Sequence, residues 1–323
     1  MTITNREGVS LTLAVWAVND DYDYQKAEKY ISVTTLMKPI KQIILSQRIE
    51  ASQKVQLDVQ DLIASSWGTS LHSSVENAWM KYRTNLKKLG YPQDVIDRVV
   101  LNPEPHEIKP NSIVVYQEIR SFLKIGNGWT LGGKFDFCAD GRVEDVKSTS
   151  AYAWILGSKD SDYQLQGSLY RLLNPDKIKD DNIRINFLFT DWSKADAARN
   201  PQYPQSRLAH RDIPLLSLDT TREWAERKLS DIEKYLTADE SEIPECTDEE
   251  LWRQPSKWKY YTKPDKTDGR AYRSFDTAEA AYEYMHNERA GQGVVKEVQG
   301  GVKRCSYCPA FNICKQKDRY EHD

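Results

Sequence analysis

The most regular pattern of hydrophobic and polar residues surrounds the dipeptide Asp140-Gly141. Runs rich in β-forming and aromatic residues precede and follow it. This arrangement predicts a β-hairpin, because both central positions of a two-residue type I′ turn need positive φ. Pairing the strands about that turn sets Asp136 opposite Asp145, with Cβ atoms about 4.5–5.5 Å apart. Two like charges so placed predict a cation nearby.

The alternation of side chains along a strand assigns the neighbouring charged residues to faces. Lys147 shares the face of Asp145, whereas Glu144 points to the opposite face. We therefore expect Asp136, Asp145 and Lys147 to lie together in one patch.

Two predicted helices carry polar side chains near this patch in sequence order. Apolar residues at helical spacing predict a helix over 71–79, which places His72 beside the apolar face. A second helix is predicted over 162–173, with Pro175 just beyond its end. Residues four apart share a helix face, so Gln166 and Tyr170 project together from this helix.

The remaining pattern predicts the fold class. Alternating residues predict a strand that starts at 113 and ends near Glu118, and another strand over 183–189. The N-terminal residues up to about Asp23 are predicted to form short strands, and 196–211 a loop. The order of strand, hairpin, helix and strand predicts an α/β fold in which helices flank a mixed central β-sheet.

Composition places the chain among soluble globular proteins, with 39% hydrophobic and 29% charged residues in 323. No apolar run approaches the ~20 residues that a membrane span needs, and no signal or transit peptide is evident, so we expect a cytoplasmic protein without membrane contact. The net charge of −3 gives no global attraction for nucleic acid. Any affinity for DNA must therefore come from local patches.

Two carboxylates and a lysine on one patch suit a hard divalent cation. Mg²⁺ takes a few carboxylate oxygens, keeps several waters and coordinates phosphate oxygens of a substrate. A nearby lysine can orient or deprotonate a metal-bound water, or stabilise charge on phosphate. The alternative is a surface hairpin with ordinary charges, because Asp-x-Lys is a common sequence.

The other motifs favour the catalytic interpretation. Gly133-x-x-Asp136, followed after a turn by Asp145-x-Lys147, resembles the PD-(D/E)xK nuclease superfamily. The resemblance implies a restriction-endonuclease-like core in which Asp136 and Asp145 hold Mg²⁺ or Mn²⁺. It also implies that Lys147 belongs to the catalytic set.

Three further features resemble the RecB-type branch of these nucleases. A Gly-Thr-x-Leu-His sequence ending at His72 resembles its first motif, which implies that His72 is a third metal ligand; a lone histidine on a helix is otherwise an ordinary surface or core residue. Glu118 is the counterpart of a glutamate on the strand before Gly-x-x-Asp. Gln166-x-x-x-Tyr170 matches a motif that helps to position DNA and the catalytic groups.

Four cysteines form a second candidate site. Cys305, Cys308 and Cys314 have the spacing C-x2-C-x5-C, and Cys246 lies upstream. In a cytosolic chain such thiols indicate metal ligands before disulfides. Four thiolates suit tetrahedral zinc or an iron–sulfur cubane, and their spacing alone does not choose between the two.

A second resemblance bears on that choice. A terminal C-x2-C-x5-C after a nuclease core resembles the iron–sulfur staple of AddB-type and CRISPR-associated adaptation nucleases, which implies a 4Fe-4S cluster with zinc as the alternative. Those relatives place the remote cysteine before the histidine motif, whereas the candidates here are Cys246 and Cys138. We favour Cys246, because Cys138 lies by the hairpin turn and suits a small core residue.

Between these cysteines, residues 252–273 interleave lysine and arginine with tryptophan and tyrosine. Such a segment could follow a phosphate backbone while offering rings on which bases stack. A solvated hairpin with its aromatic rings turned to a core is an equal alternative.

The sequence thus predicts a Mg²⁺- or Mn²⁺-dependent deoxyribonuclease, specifically an exonuclease acting on DNA ends in recombination, replication or repair. The expected partners are DNA and a recombination or replication protein. The expected organisation is a nuclease core with an N-terminal helical region over 1–240 and a cysteine-clamped segment packed on it over 241–323. A catalytically silent DNA-binding subunit of a larger complex is the alternative.

Overall fold

The computed structural model describes residues 3–21, 23–25, 27–157 and 159–320. Its α-helices are α1 (Leu11–Ala17), α2 (Val33–Leu36), α3 (Ile40–Gln47), α4 (Val59–Trp79), α5 (Tyr82–Lys88), α6 (Gln93–Arg98), α7 (Ala151–Leu156), α8 (Asp160–Leu173), α9 (Lys194–Arg199), α10 (Leu218–Tyr235) and α11 (Ala278–Arg289). Its strands are β1 (Tyr30–Ser32), β2 (Val99–Leu101), β3 (Ile113–Ile125), β4 (Trp129–Ala139), β5 (Arg142–Thr149), β6 (Asn182–Phe189), β7 (Leu208–Pro214), β8 (Lys257–Tyr261), β9 (Arg273–Phe275) and β10 (Val294–Val298). None of the helices in these ranges has both the length and the apolar character to cross a membrane.

The chain divides into two compact units. The first comprises residues 1–37 and 56–233, and the second comprises residues 38–55 and 234–323. The sequence-based boundary falls after residue 240, close to the change of unit after Glu233. Helix α3, however, belongs to the second unit although it precedes most of the first unit in the chain.

The first unit is built on a mixed sheet. Within the described residues its strands follow the order β2-β3-β4-β5-β6-β7, and β1 pairs with β4 beside this path. The pairs β2–β3, β1–β4 and β5–β6 are parallel, and β3–β4, β4–β5 and β6–β7 are antiparallel. Helix α8 packs against β3, β4, β6 and β7, and α4 packs against β5. The predicted α/β class, a mixed central sheet flanked by helices, is confirmed.

The predicted hairpin joins β4 to β5. Asp140 has φ 48° and Gly141 has φ 85°, so both central residues take the left-handed conformation that the turn requires. The ladder pairs Phe137 with Glu144 and Ala139 with Arg142, which is the predicted register. The dipeptide therefore fixes which residues of the two strands face each other.

Gly133 allows α8 and α2 to approach the sheet closely. A Cβ atom at this position would lie 2.7 Å from Leu173 Cδ1 and 2.9 Å from Val33 Cγ2, so any side chain would push both helices away. Alternate residues of β6, from Ile183 to Phe189, are buried on the face that α8 covers. The glycine of Gly-x-x-Asp is thus explained by packing.

The second unit contains the sheet β10-β8-β9 and helix α11. A small core of Tyr260, Ala281, Tyr284 and Val295 joins them, and Trp258 packs against it. Thr277 begins α11 by accepting a hydrogen bond from the backbone N–H of Ala280. Two aromatic rings of the basic segment thus serve this core, although Tyr272 is exposed.

Three sequence-based expectations are wrong. The N-terminal residues form α1, with an isolated bridge at Thr4, in place of short strands. The predicted loop over 196–211 overlaps α9 and β7. Strand β3 does not end near Glu118 but continues to Ile125.

Candidate active site

A gap along one edge of β4 positions the candidate site. β3 occupies the other edge, while β1 pairs with residues 130–132 and β5 with residues 137–139 of this edge. Among the described strands, none pairs with β4 residues 133–136 on that edge. Asp136 therefore stands where β4 and β5 separate, and Asp145 has already paired with Ile185 of β6.

Three side chains from α4, β4 and β5 converge at this fork. His72, Asp136 and Asp145 each offer one ligand atom, and these atoms lie within 4.8 Å of one another. His72 Nδ1 is 2.9 Å from Asp136 Oδ2. The two carboxylates thus meet as the hairpin register predicts, and the predicted third ligand joins them.

Lys147 completes the predicted patch. Its Nζ lies 2.6 Å from Asp145 Oδ2, and the side chain of Asp145 is 5% exposed. Within the described residues, Asp145 Oδ2 has no hydrogen bond of ordinary geometry despite this close cation. A buried carboxylate oxygen without a hydrogen bond is free to coordinate a cation.

The two carboxyl groups titrate in opposite directions. Burial raises the pKa of Asp145 to about 7; the charge of Lys147 opposes this shift and that of Asp136 adds to it. Burial also acts to raise the pKa of Asp136, but hydrogen bonds with His72 and Asp145 outweigh it and hold that pKa at about 2. The hydrogen bond to Asp136 raises the pKa of His72. Without a cation, the site thus retains protons.

Glu118 interrupts the regular alternation of β3 beside the site. Its φ is 54°, a left-handed conformation that is uncommon for a residue with a side chain. On the neighbouring strand, the consecutive residues Asp136 and Phe137 both contact α4, the first through His72 and the second through Trp79, whose ring is 4.8 Å from that of Phe137. Strand alternation therefore fails where the site forms.

A cleft of about 980 Å³ opens at the site. His72, Glu118, Lys134 and Lys147 line it, and Glu118 forms an ion pair with Lys134. Lys134 was not singled out from the sequence, although it lies two residues before Asp136 and thus on the same side of a regular strand. Its presence gives the cleft a second ammonium group.

Gln166 and Tyr170 are hydrogen-bonded to each other, with 3.1 Å between Nε2 and Oη. Tyr170 is buried and lies against Gly133, where its ring carbon would be 3.3 Å from an added Cβ. The pair therefore packs α8 onto β4 and does not line the cleft. Burial raises the pKa of Tyr163, which lies on the same helix. The charge of Lys147 opposes this shift and that of Asp145 adds to it. No signal in the sequence distinguishes Tyr163.

The residues at the fork fit a hard divalent cation. One imidazole and two carboxylates are ligands that Mg²⁺ and Mn²⁺ accept. His72, Asp136 and Asp145 would hold the ion. Glu144 is turned elsewhere, because its carboxylate accepts hydrogen bonds from Arg142 and Asn186.

The four predicted cysteine ligands line one small cavity of about 30 Å³ in the second unit. All five cysteines are free thiols. Burial raises the pKa of Cys246 to about 12, and the charge of Glu250 and of the other three cysteines adds to that shift. Thiols that line one cavity become thiolates when a metal supplies positive charge, so the chemistry of this donor set suits a metal centre. Among the described residues, no three of the cysteine Sγ atoms lie within 4.8 Å of one another.

Cys138 lies in the first unit and is not part of this cavity. It is fully buried, and its Sγ lies 3.6 Å from the carbonyl oxygen of Lys177. Burial raises its pKa to about 12. These contacts are those of a core residue.

Comparison with known proteins gives little. No protein-family model matches the chain, and no curated protein matches it. Among solved structures, the crystal structure of SSO0001 is similar at 13% sequence identity with a TM-score of 0.43, over 69% of this chain and 87% of that chain. A similarity this weak carries no argument.

Proposed function

We propose that the protein is a Mg²⁺- or Mn²⁺-dependent deoxyribonuclease, with end-directed hydrolysis as its mode of action. The observation that carries the proposal is the convergence of His72, Asp136 and Asp145 within 4.8 Å, with Lys147 Nζ 2.6 Å from Asp145. Ligands for a hard cation beside a fixed ammonium group can stabilise the charge that develops during phosphodiester hydrolysis. The resemblance of the motifs to RecB-type nucleases supports the same assignment.

The chemistry can be divided among the residues. Water adds to phosphorus and the bond to one bridging oxygen breaks, which leaves a phosphate and a hydroxyl. When bound, the divalent ion supplies Lewis-acid stabilisation of charge on the phosphate. Lys147 is held by Asp145 at a fixed position, from which it can orient the water or donate to a phosphate oxygen. Lys134 and Glu118 line the same cleft and can position the strand.

The test is cleavage of labelled linear DNA with Mg²⁺ or Mn²⁺. Asp136→Asn, Asp145→Asn and Lys147→Ala should each lower the rate at least about 100-fold, the scale seen when one stabilising group is removed. His72→Ala should weaken metal binding and lower the rate. Glu144→Ala is the matched control, because this neighbouring acid bonds to Arg142 and Asn186.

Two outcomes contradict the proposal. Full activity in any of the three main variants would remove the site assignment. If the wild-type protein binds DNA with Mg²⁺ and with Mn²⁺ but cleaves it with neither, the result would favour the alternative function, a catalytically silent DNA-binding subunit. Circular dichroism of each variant separates loss of activity from loss of fold.

We further propose that the four cysteines hold a metal centre, with a 4Fe-4S cluster expected and zinc as the alternative. The support is their shared cavity and the C-x2-C-x5-C spacing. Protein purified without oxygen should be brown and contain iron and sulfide. Colourless protein with one zinc per chain would support the alternative, and metal-free protein would contradict both.

A further inference from the structure

The cysteine cavity has a marked charge composition. Among the described residues that line it, three are cations, Lys41, Arg304 and Lys317, and none is a carboxylate. Gln42 and Gln316 add two amide groups, and the remaining lining residues other than the cysteines are apolar. Lys317 forms an ion pair with Asp318 at 2.9 Å. Among the described residues, Lys41 and Arg304 are thus the lining cations without a carboxylate at such a distance.

Lys41 shows this imbalance most clearly. Its side chain is 6% exposed, and its nearest carboxylate oxygen is Glu240 Oε1, 3.8 Å from Nζ. Within the described residues its ammonium group makes no hydrogen bond, and Glu240 Oε1 already accepts one from the backbone N–H of Lys315 at 2.7 Å. A buried cation with so distant a partner is costly unless another anion faces it.

Arg304 is held rigidly at the same cavity. Its Nε donates to Gln42 Oε1 at 3.2 Å, its Nη1 donates to the carbonyl oxygen of Glu250 at 3.2 Å, and its guanidinium lies 4.8 Å from the Trp252 ring centroid. Gln42 is itself buried. Because three contacts already hold this guanidinium in place, it loses little further side-chain entropy when it binds an anion.

We propose that Lys41 and Arg304 are counter-charges for an anionic metal–thiolate centre. Four thiolates around one divalent ion, or around an oxidised cubane, carry about two net negative charges, and a reduced cubane carries one more. The two cations match the lower of these charges. The site is then assembled from three segments, because α3 supplies Lys41 to a centre whose ligands lie near residue 246 and over 305–314.

This inference rests on the proposed cysteine centre and is independent of the nuclease site. Its test compares Lys41→Met, which keeps side-chain length without charge, with Lys41→Arg, which keeps the charge. Lys263→Met removes an exposed lysine of the same unit that does not line the cavity, and serves as the control. All four proteins are purified without oxygen.

The readouts are metal content, the rate of metal release to a chelator, the midpoint potential if iron is present, and thermal unfolding of the metal-free chain. Lys41→Met should release metal roughly tenfold faster, the usual lower bound for loss of a group that supports the ligands. The midpoint potential of the Lys41→Met variant should become more negative, because the added electron is no longer balanced by the Lys41 ammonium group. Lys41→Arg and Lys263→Met should behave as wild type.

A purely structural role for Lys41 predicts a different result. Removal of a structural ion pair would destabilise the metal-free chain, whereas removal of a buried cation with so distant a partner should leave its unfolding temperature unchanged or higher. Equal release rates and potentials in Lys41→Met and wild type would overturn the proposal. A wild-type protein without metal at these cysteines would overturn it as well, and the cleavage assay would still report separately on the proposed nuclease.

Discussion

Glu118 stands directly across the β3–β4 ladder from Asp136, and the ladder is paired on either side of them. Its φ of 54° costs about 1–2 kcal/mol relative to the right-handed region. Its carboxylate forms an ion pair with Lys134 in the cleft. A strained backbone beside the candidate metal ligands is typical of sites where the placement of a side chain matters more than stability.

Glu118→Gly should therefore separate stability from activity. Glycine accepts positive φ without strain, and the lost ion pair with Lys134 is worth at most about 1 kcal/mol because both partners are partly exposed. We expect the free energy of unfolding to stay equal or rise, and the cleavage rate to fall. Urea unfolding and the cleavage assay measure the two effects. A loss of more than about 2 kcal/mol would show that Glu118 is not strained.

Asp145 should make the metal-free protein less stable as pH rises from about 4 to about 7. Burial raises its pKa to about 7 from 3.8, so over this range the folded state holds a proton that the unfolded state has lost. The stabilisation by protonated Asp145 is complete below its pKa in the unfolded chain and is lost as pH rises through its pKa in the folded protein. Asp145→Asn should remove most of this slope.

The measurement is urea unfolding of chelator-treated protein between pH 4.5 and 8. Asp136 does not interfere, because its pKa of about 2 confines its contribution to lower pH. Asp231→Asn, at an exposed position of α10, should keep the wild-type slope. A flat wild-type profile would contradict the raised pKa of Asp145.

Gln316 should hold the remote cysteine in place. Its Nε2 donates to the carbonyl oxygen of Cys246 and its Oε1 accepts from the N–H of Cys246, both at 2.9 Å, and it is 4% exposed. Gln316→Ala leaves two backbone groups without partners, which costs about 1–3 kcal/mol for each one that stays buried. We expect lower stability and faster metal release, whereas Gln299→Ala at an exposed position should change neither.

Hydrolysis should require a DNA end. The chain has a net charge of −3, and Asp20, Asp21 and Glu76 line the cleft together with its cations, so little positive surface is available to hold a long internal segment. Linear DNA should be degraded, and covalently closed circular single- and double-stranded DNA should persist at the same metal concentration. Comparable loss of the circles would identify an endonuclease.

Local signals explain what the sequence could reveal. Asp140-Gly141 sets the turn and the register, and the register brings Asp136 and Asp145 together. The spacing of Leu71, Val75 and Trp79 placed His72 on a helix correctly, because α4 spans Val59–Trp79.

Two features had no local signal. A glutamate at positive φ looks like any strand residue, so the sequence pattern ended β3 near Glu118 when the strand in fact runs to Ile125. The position of Lys41 at the cysteine cavity depends on contacts between residues about 200 positions apart, which periodicity does not encode.

The placement of α3 in the second unit makes the two units inseparable by a single cut. The chain changes unit after Met37, after Val55 and after Glu233, so a fragment ending at Glu233 would still carry α3. Ile43, Ile44 and Leu45, which are buried in the whole chain, would then be separated from the rest of their own unit. No single truncation therefore releases the cysteine-bearing unit with α3 attached, because residues 56–233 lie between its two segments.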